Sequence, residues 1–318
     1  MLNRRKFIGN SMTLATSAFL FPADIFTPSS LMNKIGVQFF SLPKLLEKYL
    51  AATLAMLAKI GYKEVELYGP YPFSNEAGKK SWAAVTPSLG FSASGFFGHS
   101  VTEFKKMLSD NGLSAPSMHT DFDTLEKNMP ELAEAAQALG TNYVVLPAIP
   151  AERRKTLDDY KKIAEQFNAI GASAKKNGIK FAYHNHGYGW TPVDGQIPVE
   201  LIFSGTDPSL VFFEMDLYWT SAAGVDPVTL LKKYSNRYRL MHVKDMSKKV
   251  HYSGDGGDPK QWFELWQYMT TAGNGILDLK TICTTAKANG VEHFIVEQDL
   301  VDNPDKALKS SYDYLVSL

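Results

Sequence analysis

The run Phe181-Ala-Tyr-His184-Asn-His186 indicates the fold of this chain, because it is a short apolar strand that ends in side chains able to bind metals or carry protons. An unpaired charge inside a core is costly, so a buried strand is expected to be mostly apolar. Three later runs have the same form: Val211-Phe-Phe-Glu214-Met-Asp216, Leu240-Met-His242-Val-Lys244-Asp245 and His293-Phe-Ile-Val-Glu297. Polar residues at the C-terminal ends of successive strands are typical of the active-site face of a (β/α)8 barrel.

Around these runs, strand and helix patterns alternate from residue 34 to residue 318. Eight strands are predicted, at 35–39, 64–68, 113–119, 143–147, 181–186, 211–216, 240–245 and 293–297. Such alternation favours a parallel sheet, and eight units over this length fit one closed barrel. An open dinucleotide-binding sheet usually has a glycine-rich turn after its first strand, whereas residues 39–43 contain no glycine. We therefore expect an α/β fold, a single-domain (β/α)8 TIM barrel at 34–318.

The connections carry further signals. Asp226-Pro227 predicts a helix start, with the aspartate as the cap and the proline at the first position. One helix is predicted at 125–139. The stretch 69–100 is rich in glycine, proline, serine and aromatic residues and is interpreted as a long loop at the barrel mouth. The stretch 247–274, after strand seven, is interpreted as irregular.

The N-terminus is interpreted as a cleavable targeting segment, not as part of the barrel. Arg4, Arg5 and Lys6 precede a short apolar stretch that ends near Phe21. This order is similar to a twin-arginine-type signal peptide at 1–30 and predicts export to the periplasm; a basic tail is the alternative. The apolar stretch is short for a membrane span and no cysteine follows it closely, so no stable membrane anchor is expected.

Composition narrows the classes of partner. The chain has 33 Lys and Arg residues against 33 Asp and Glu residues, so its formal net charge is zero and nucleic acid is not an expected partner. The single cysteine, Cys283, excludes a cysteine-rich metal site. A small-molecule substrate is the expected partner, and an oligomer is compatible with the sequence.

Strand parity predicts which polar side chains share the lumen, because successive residues of a strand face opposite sides. One lumen can collect His119, His184, His186, Asp216, His242, Lys244 and Glu297, with Gln38 at the end of strand one and Glu66 inside strand two. Nitrogen and oxygen donors together suit one divalent ion, and favour Mn, Zn, Co or Fe over Mg. A strand-end histidine can also be purely structural, and Glu66 and Glu214 can be salt-bridged residues below a site.

At these residues the chain resembles the xylose isomerase-like TIM-barrel superfamily of sugar isomerases and epimerases. The resemblance is carried by Gly36-Val-Gln38, Gly61-Tyr-Lys-Glu-Val-Glu66, Gly224-Val-Asp226-Pro227, His242-Val-Lys244-Asp245 and Glu297. It implies that Asp216, His242 and Glu297 bind the ion, with His184 where the family's epimerases have a glutamate. Those epimerases carry a histidine at the position of Trp219. The motif Tyr183-His-Asn-His186 resembles an exported subgroup, some of whose members act on 3-keto-glycosides.

The resulting hypothesis is a divalent-metal-dependent isomerase or epimerase that acts on a non-phosphorylated sugar or keto-sugar through an enediolate. Catalytic roles are predicted for His186, Glu297, Lys244 and His119. Contacts with a carbohydrate substrate are predicted for Gln38, Glu66, Trp219 and Trp190. Phosphate is disfavoured because residues 298–305, after strand eight, are acidic and contain no glycine. The alternatives are a lyase, dehydratase or glycoside-cleaving enzyme that works by elimination, and a non-catalytic carbohydrate-binding barrel.

Overall fold

The computed structural model describes residues 31–32 and 34–318, so the predicted signal segment at 1–30 lies outside the described residues. Ten strands form within them: β1 (Ile35–Gln38), β2 (Glu64–Tyr68), β3 (Ser114–His119), β4 (Tyr143–Leu146), β5 (Lys180–His184), β6 (Val211–Asp216), β7 (Tyr238–Val243), β8 (Asp245–Met246), β9 (Met269–Thr270) and β10 (His293–Val296). Eight strands close into a parallel barrel in the order β1-β10-β7-β6-β5-β4-β3-β2. The predicted TIM barrel is confirmed.

Helices follow the strands around the barrel. The described residues form twelve α-helices: α1 (Pro43–Ile60), α2 (Glu76–Leu89), α3 (Val101–Asp110), α4 (Phe122–Lys127), α5 (Met129–Leu139), α6 (Leu157–Lys176), α7 (Pro198–Gly205), α8 (Leu217–Ala222), α9 (Pro227–Lys233), α10 (Pro259–Trp266), α11 (Leu279–Ala288) and α12 (Pro304–Val316). None of these helices combines the length and the apolar character that crossing a membrane requires.

The strands show the predicted alternation of faces. The lumen is filled by a cluster of buried side chains: Tyr143, Val145, Ala182, Leu240 and Ile295. Phe181 and Tyr183, the neighbours of Ala182 in β5, point outward, and both rings lie 5.2 Å from the ring of Phe167 in α6. His184 is two residues beyond Ala182, so it faces the lumen at the C-terminal end of β5.

The predicted cap of α9 is confirmed, because the Asp226 side chain accepts hydrogen bonds from the backbone N–H groups of Val228 and Thr229. The helix predicted at 125–139 is instead two helices. Asn128, with φ −123° and ψ 28°, separates α4 from α5. Because Pro130 follows closely, the second helix starts anew with proline in its first turn.

The two stretches interpreted as irregular contain regular structure. Residues 69–100 include α2, in which only Leu89 is buried, and residues 247–274 include α10, in which no residue is buried. β9 is also in the second stretch and pairs with β8, which lies just before it. Neither helix was predicted, because α2 contains Gly78 and Pro87, which are typical of loops, and α10 has only eight residues. Both helices instead flank the mouth of the barrel and supply residues to a cavity described below.

Candidate metal and substrate site

The C-terminal ends of the barrel strands bring the predicted polar residues together. His119, His184 and Asp216 are the last residues of β3, β5 and β6. In the parallel register, Asp216 lies beside His242 of β7, and Glu297 directly follows β10. Asp216 also caps α8, because its Oδ1 accepts a hydrogen bond from the backbone N–H of Trp219. That cap orients the carboxylate.

A layer of buried ionisable groups forms the base of the site. Oε2 of Glu66 lies 2.7 Å from Gln38 Nε2, 3.1 Å from His119 Nε2 and 2.5 Å from His242 Nε2. Oε2 of Glu214 lies 2.8 Å from His119 Nε2 and 2.9 Å from His184 Nδ1. Both glutamates have no exposed surface. Their contacts fix the orientations of three imidazole rings.

Neighbouring charges decide the protonation of this layer. Burial alone would raise the pKa of Glu66, but His119 and His242 hold it well below its usual range. Burial would lower the pKa of His119, but Glu66 and Glu214 raise it to about 9. Burial and the charge of Glu66 raise the pKa of Glu214 to about 7. Burial, together with the other imidazoles, keeps the pKa of His184 well below its usual value, so this ring is neutral.

Above this layer, Asp216, His242 and Glu297 each offer a ligand atom, and the three atoms lie within 4.8 Å of one another. Lys244 Nζ lies 2.9 Å from Asp216 Oδ2, and Glu297 Oε2 lies 2.7 Å from His242 Nδ1. Even so, Asp216 Oδ2 and His242 Nδ1 are buried and form no hydrogen bond of acceptable geometry. A buried carboxylate oxygen and a buried ring nitrogen in this state suit a cation that displaces the ring proton, and the mixed nitrogen and oxygen set fits a transition metal or zinc.

His184 is placed between this triad and the base of the site. Its Nδ1 bonds Glu214, while its Nε2 lies 3.6 Å from Asp216 Oδ2. A second group with metal-binding geometry consists of His119, His184, Glu214 and His242, so the two groups share His242. The buried cluster therefore could hold a metal, with His184 and Glu214 as additional donors beside the triad.

Lys244 is surrounded by carboxylates. Its Nζ lies 2.9 Å from Asp216 Oδ2, 2.6 Å from Glu297 Oε2 and 2.8 Å from Asp299 Oδ2. Burial opposes the charge of Lys244, but these carboxylates raise its pKa well above the usual value, so it stays an ammonium ion. Burial and the charge of Glu297 raise the pKa of Asp299 to about 7. Asp299 was not among the predicted site residues, although its position two residues after Glu297 is a usable signal.

His186 occupies a different environment from His184. Its ring stacks on Trp262, with the ring centres 4.7 Å apart and the planes at 19°. Its Nδ1 is buried and has no hydrogen-bond partner. Burial lowers the pKa of His186 to about 3, and the charge of Lys244 acts in the same direction. The imidazole is therefore neutral near neutral pH and presents a free nitrogen.

A cavity of about 510 Å³ opens above these groups. Of the predicted site residues, those that line it are Gln38, His119, His184, His186, Trp219, His242, Lys244 and Glu297. Glu66 and Asp216 lie beneath the lining, with no exposed surface. Trp190 is not brought to the cavity: its ring packs 5.8 Å from that of Phe203 in α7.

The family model described as xylose isomerase-like TIM barrel matches residues 54–318. An inosose dehydratase from Clostridium perfringens is 36% identical over 153 residues, which are 46% of this chain and 50% of that protein. The chain thus spans about half the length of this curated relative.

Two solved structures are similar over most of the chain. A sugar phosphate isomerase/epimerase from Parabacteroides distasonis is 24% identical, with a TM-score of 0.70, and the match covers 92% of this chain and 96% of that one. The 3-keto-D-glucoside 4-epimerase YcjR from E. coli is 15% identical, with a TM-score of 0.57, covering 90% and 99%. Likeness at these identities shows the shared fold.

Proposed function

Because this chain belongs to the xylose isomerase-like TIM-barrel family, we propose that it is a divalent-metal-dependent enzyme acting on a non-phosphorylated keto-sugar. In the proposed reaction, a proton leaves the carbon next to the carbonyl and a substituent on the following carbon is expelled. The product is an unsaturated ketone. Isomerisation and epimerisation begin with the same proton removal, so they form the second candidate.

The arrangement of the cavity-facing acids is the observation that favours elimination. Glu297 and Asp299 both line the cavity and both follow β10, so they approach from one side. Asp121, the third acid of the lining, already accepts hydrogen bonds at the start of α4 through both of its carboxylate oxygens. The β5 side presents His184 and His186 instead. Inverting a carbon requires acid–base groups on both faces of the substrate. A single carboxylate suffices for elimination when the proton and the leaving oxygen are on the same face.

Each residue has a defined part in this proposal. The Glu297 carboxylate takes the proton from carbon, the C–H electron pair forms the new double bond, and the bond to the leaving oxygen breaks with its electron pair. Glu297 then returns the proton to that oxygen. The Lys244 ammonium stabilises negative charge on the carbonyl oxygen, and the free Nδ1 of His186 accepts a hydrogen bond from a sugar hydroxyl. When bound by Asp216, His242, Glu297 and His184, a divalent ion would supply a Lewis acid that polarises the carbonyl.

The charges around the cavity support a substrate without phosphate. Lys244 is the only Lys or Arg that lines this cavity in the described part of the chain, and three carboxylates already surround it. A phosphate dianion would find no free cation there, and it would be repelled by Glu297 and Asp299. A substrate with neutral hydroxyls carries no charge, so it is neither repelled by these carboxylates nor in need of a free cation.

The second candidate keeps the same donors but returns the proton to carbon. It is favoured by the residue that follows β5, because His186 offers an unpaired nitrogen three strands around the barrel from β10, which Glu297 follows. The relative that acts on 3-keto-D-glucoside is described as a 4-epimerase, whereas the inosose relative is described as a dehydratase. We further propose that the enzyme acts after export by the twin-arginine route.

The test is to incubate metal-loaded protein with methyl 3-keto-β-glucoside and with free ketoses in deuterated water. Release of methanol with an unsaturated ketone supports elimination, whereas deuterium in a re-formed sugar supports epimerisation or isomerisation. Turnover should fall about 10²–10⁴-fold in Glu297→Gln. The matched control is Glu292→Gln in the loop before β10, where the side chain is 43% exposed and pairs with Arg239. If neither product forms, the enzymatic proposal fails and a non-catalytic sugar-binding barrel is favoured.

A further inference from the structure

The cavity has two parts that differ in chemistry. The inner part carries the histidines, Lys244, Glu297 and Asp299, all described above. The outer part is a set of aromatic rings, here called the aromatic wall, which consists of Phe40, Tyr68, Trp82, Trp262, Phe263 and Trp266. Phe263 is 49% exposed, so the wall reaches from the site to solvent.

Five rings of the aromatic wall form a connected row. Ring centres are 5.7 Å apart for Trp82 and Tyr68, and 5.5 Å for Tyr68 and Phe40. The row continues from Phe40 to Trp266 at 6.4 Å and from Trp266 to Phe263 at 4.6 Å. The remaining ring, Trp262, stacks on His186 and so connects the wall to the inner part. The mutual contacts keep these rings ordered before any ligand binds.

The polar atoms of the wall are mostly used within the protein. Tyr68 donates its hydroxyl to Ala93 O at 2.9 Å, and Trp82 donates Nε1–H to Ser92 O at 2.8 Å. Trp262 donates Nε1–H to Gly256 O at 2.9 Å. The two phenylalanines have no polar atom. Trp266 is the one wall residue whose polar atom makes no hydrogen bond to the described part of the chain.

These observations distinguish two kinds of occupant. A second sugar would bring several hydroxyls against the wall, where one indole N–H remains to bond them, and an unpaired polar group loses affinity when it is desolvated. An aromatic group needs ring contacts, which the wall supplies along its length. Apart from the inner part and the wall, the polar side chains of the cavity lining are those of Ser81, Thr120 and Asp121, and each carboxylate oxygen of Asp121 already accepts a hydrogen bond from Thr124.

We propose that the aromatic wall binds the aryl aglycone of a keto-glycoside whose sugar occupies the inner part. This inference rests on the proposed function, and it makes the phenolic oxygen the leaving group. In that step the bond between the sugar carbon and the phenolic oxygen breaks with its electron pair. The proton that Glu297 removed from carbon passes to that oxygen, so a neutral phenol is released.

The test uses glucosides that lack the keto group and therefore cannot react. Calorimetry on metal-loaded protein compares phenyl β-glucoside, methyl β-glucoside and cellobiose, which share one glucose unit. We expect phenyl β-glucoside to bind about tenfold more tightly than methyl β-glucoside and more tightly than cellobiose. Trp82→Ala and Phe263→Ala should each weaken the binding of phenyl β-glucoside about three- to tenfold, and should weaken the binding of methyl β-glucoside by less. Tyr49→Ala is the matched control, since Tyr49 is a 52% exposed ring of α1 outside the cavity lining.

The outcomes separate this inference from the proposed reaction. Equal binding of phenyl and methyl glucosides, or tighter binding of cellobiose, overturns the aryl subsite even if keto-glycosides are turned over. Selective phenyl binding that the wall variants reduce supports the subsite even if no keto-glycoside reacts, in which case the reaction proposal alone fails. Failure of all three glucosides to bind also overturns the inference.

Discussion

Glu66→Gln should lower the free energy of unfolding by about 3–5 kcal/mol, the usual cost of removing one partner from a buried charged network. The carboxylate oxygen Oε2 receives contacts from three donors, those of Gln38, His119 and His242, and the side chain has no exposed surface. Each hydrogen bond to a charged group contributes roughly 1.5–3 kcal/mol, and such contributions are not additive. Oε1 has no partner, so the amide group of glutamine would leave its N–H donors buried and unpaired at that position.

The assay is urea unfolding of chelator-treated protein at pH 7, which keeps metal loss out of the comparison. A lower midpoint with an unchanged slope reports stability alone. Glu64→Gln is the matched control, because Glu64 lies one layer lower on the same face of β2 and its main partner is His293 Nδ1 at 2.8 Å. We expect Glu64→Gln to lower the free energy of unfolding by about 1 kcal/mol.

A loss of unfolding free energy under about 1 kcal/mol in Glu66→Gln, or one no larger than in Glu64→Gln, would contradict this prediction. If stability is unchanged while KM for the substrate rises, Glu66 contacts the substrate, as the sequence predicted. The structure instead leads us to expect a role beneath the cavity, through the orientation of His119 and His242.

Three further predictions concern metal, catalysis and export. His242→Ala should lose the stoichiometric metal ion, measured by elemental analysis, whereas the exposed His99→Ala should retain it; metal retained in both would contradict the ligand assignment. His186→Gln should keep metal and fold; it should lower turnover about 10²–10⁴-fold if His186 carries a proton, as in the epimerisation candidate, and by far less in elimination, because glutamine can still accept the hydrogen bond of a sugar hydroxyl; loss of metal would instead make His186 a ligand. Arg4→Lys with Arg5→Lys should leave the protein in the cytoplasm on cell fractionation, and normal export of this double variant would exclude the twin-arginine route.

Much of the barrel could be predicted from short stretches of chain. The run through Ala182 and His184 has the alternation of a strand with one face in the lumen, and this local pattern survives folding because side chains alternate on any strand. By contrast, α2 and α10 were missed because α2 contains Gly78 and Pro87, which weaken a helical pattern, and α10 has only eight residues. The break at Asn128 was missed because apolar periodicity continues across it.

The candidate site could likewise be predicted from the sequence only in part. Placing His184, Asp216, His242 and Glu297 at one end of the barrel required knowledge of strand ends alone, since parallel strands end on one face. The contacts between individual atoms at that end could not be predicted from strand ends. His242 and Glu66 are 176 residues apart, yet their side chains meet at 2.5 Å.

The sequence by itself therefore determined the barrel, the face that carries the polar residues and the donor types available for a metal, because these follow from strand period and strand order. Only the tertiary structure decided that Glu66 lies under the cavity and that Asp299 pairs with Lys244. It also decided that Trp190 packs against α7 and that six rings line the mouth. Closing the barrel fixes distances between strands and loops far apart in the chain. Burial then decides which of the groups brought together are paired, charged or left free to bind a ligand.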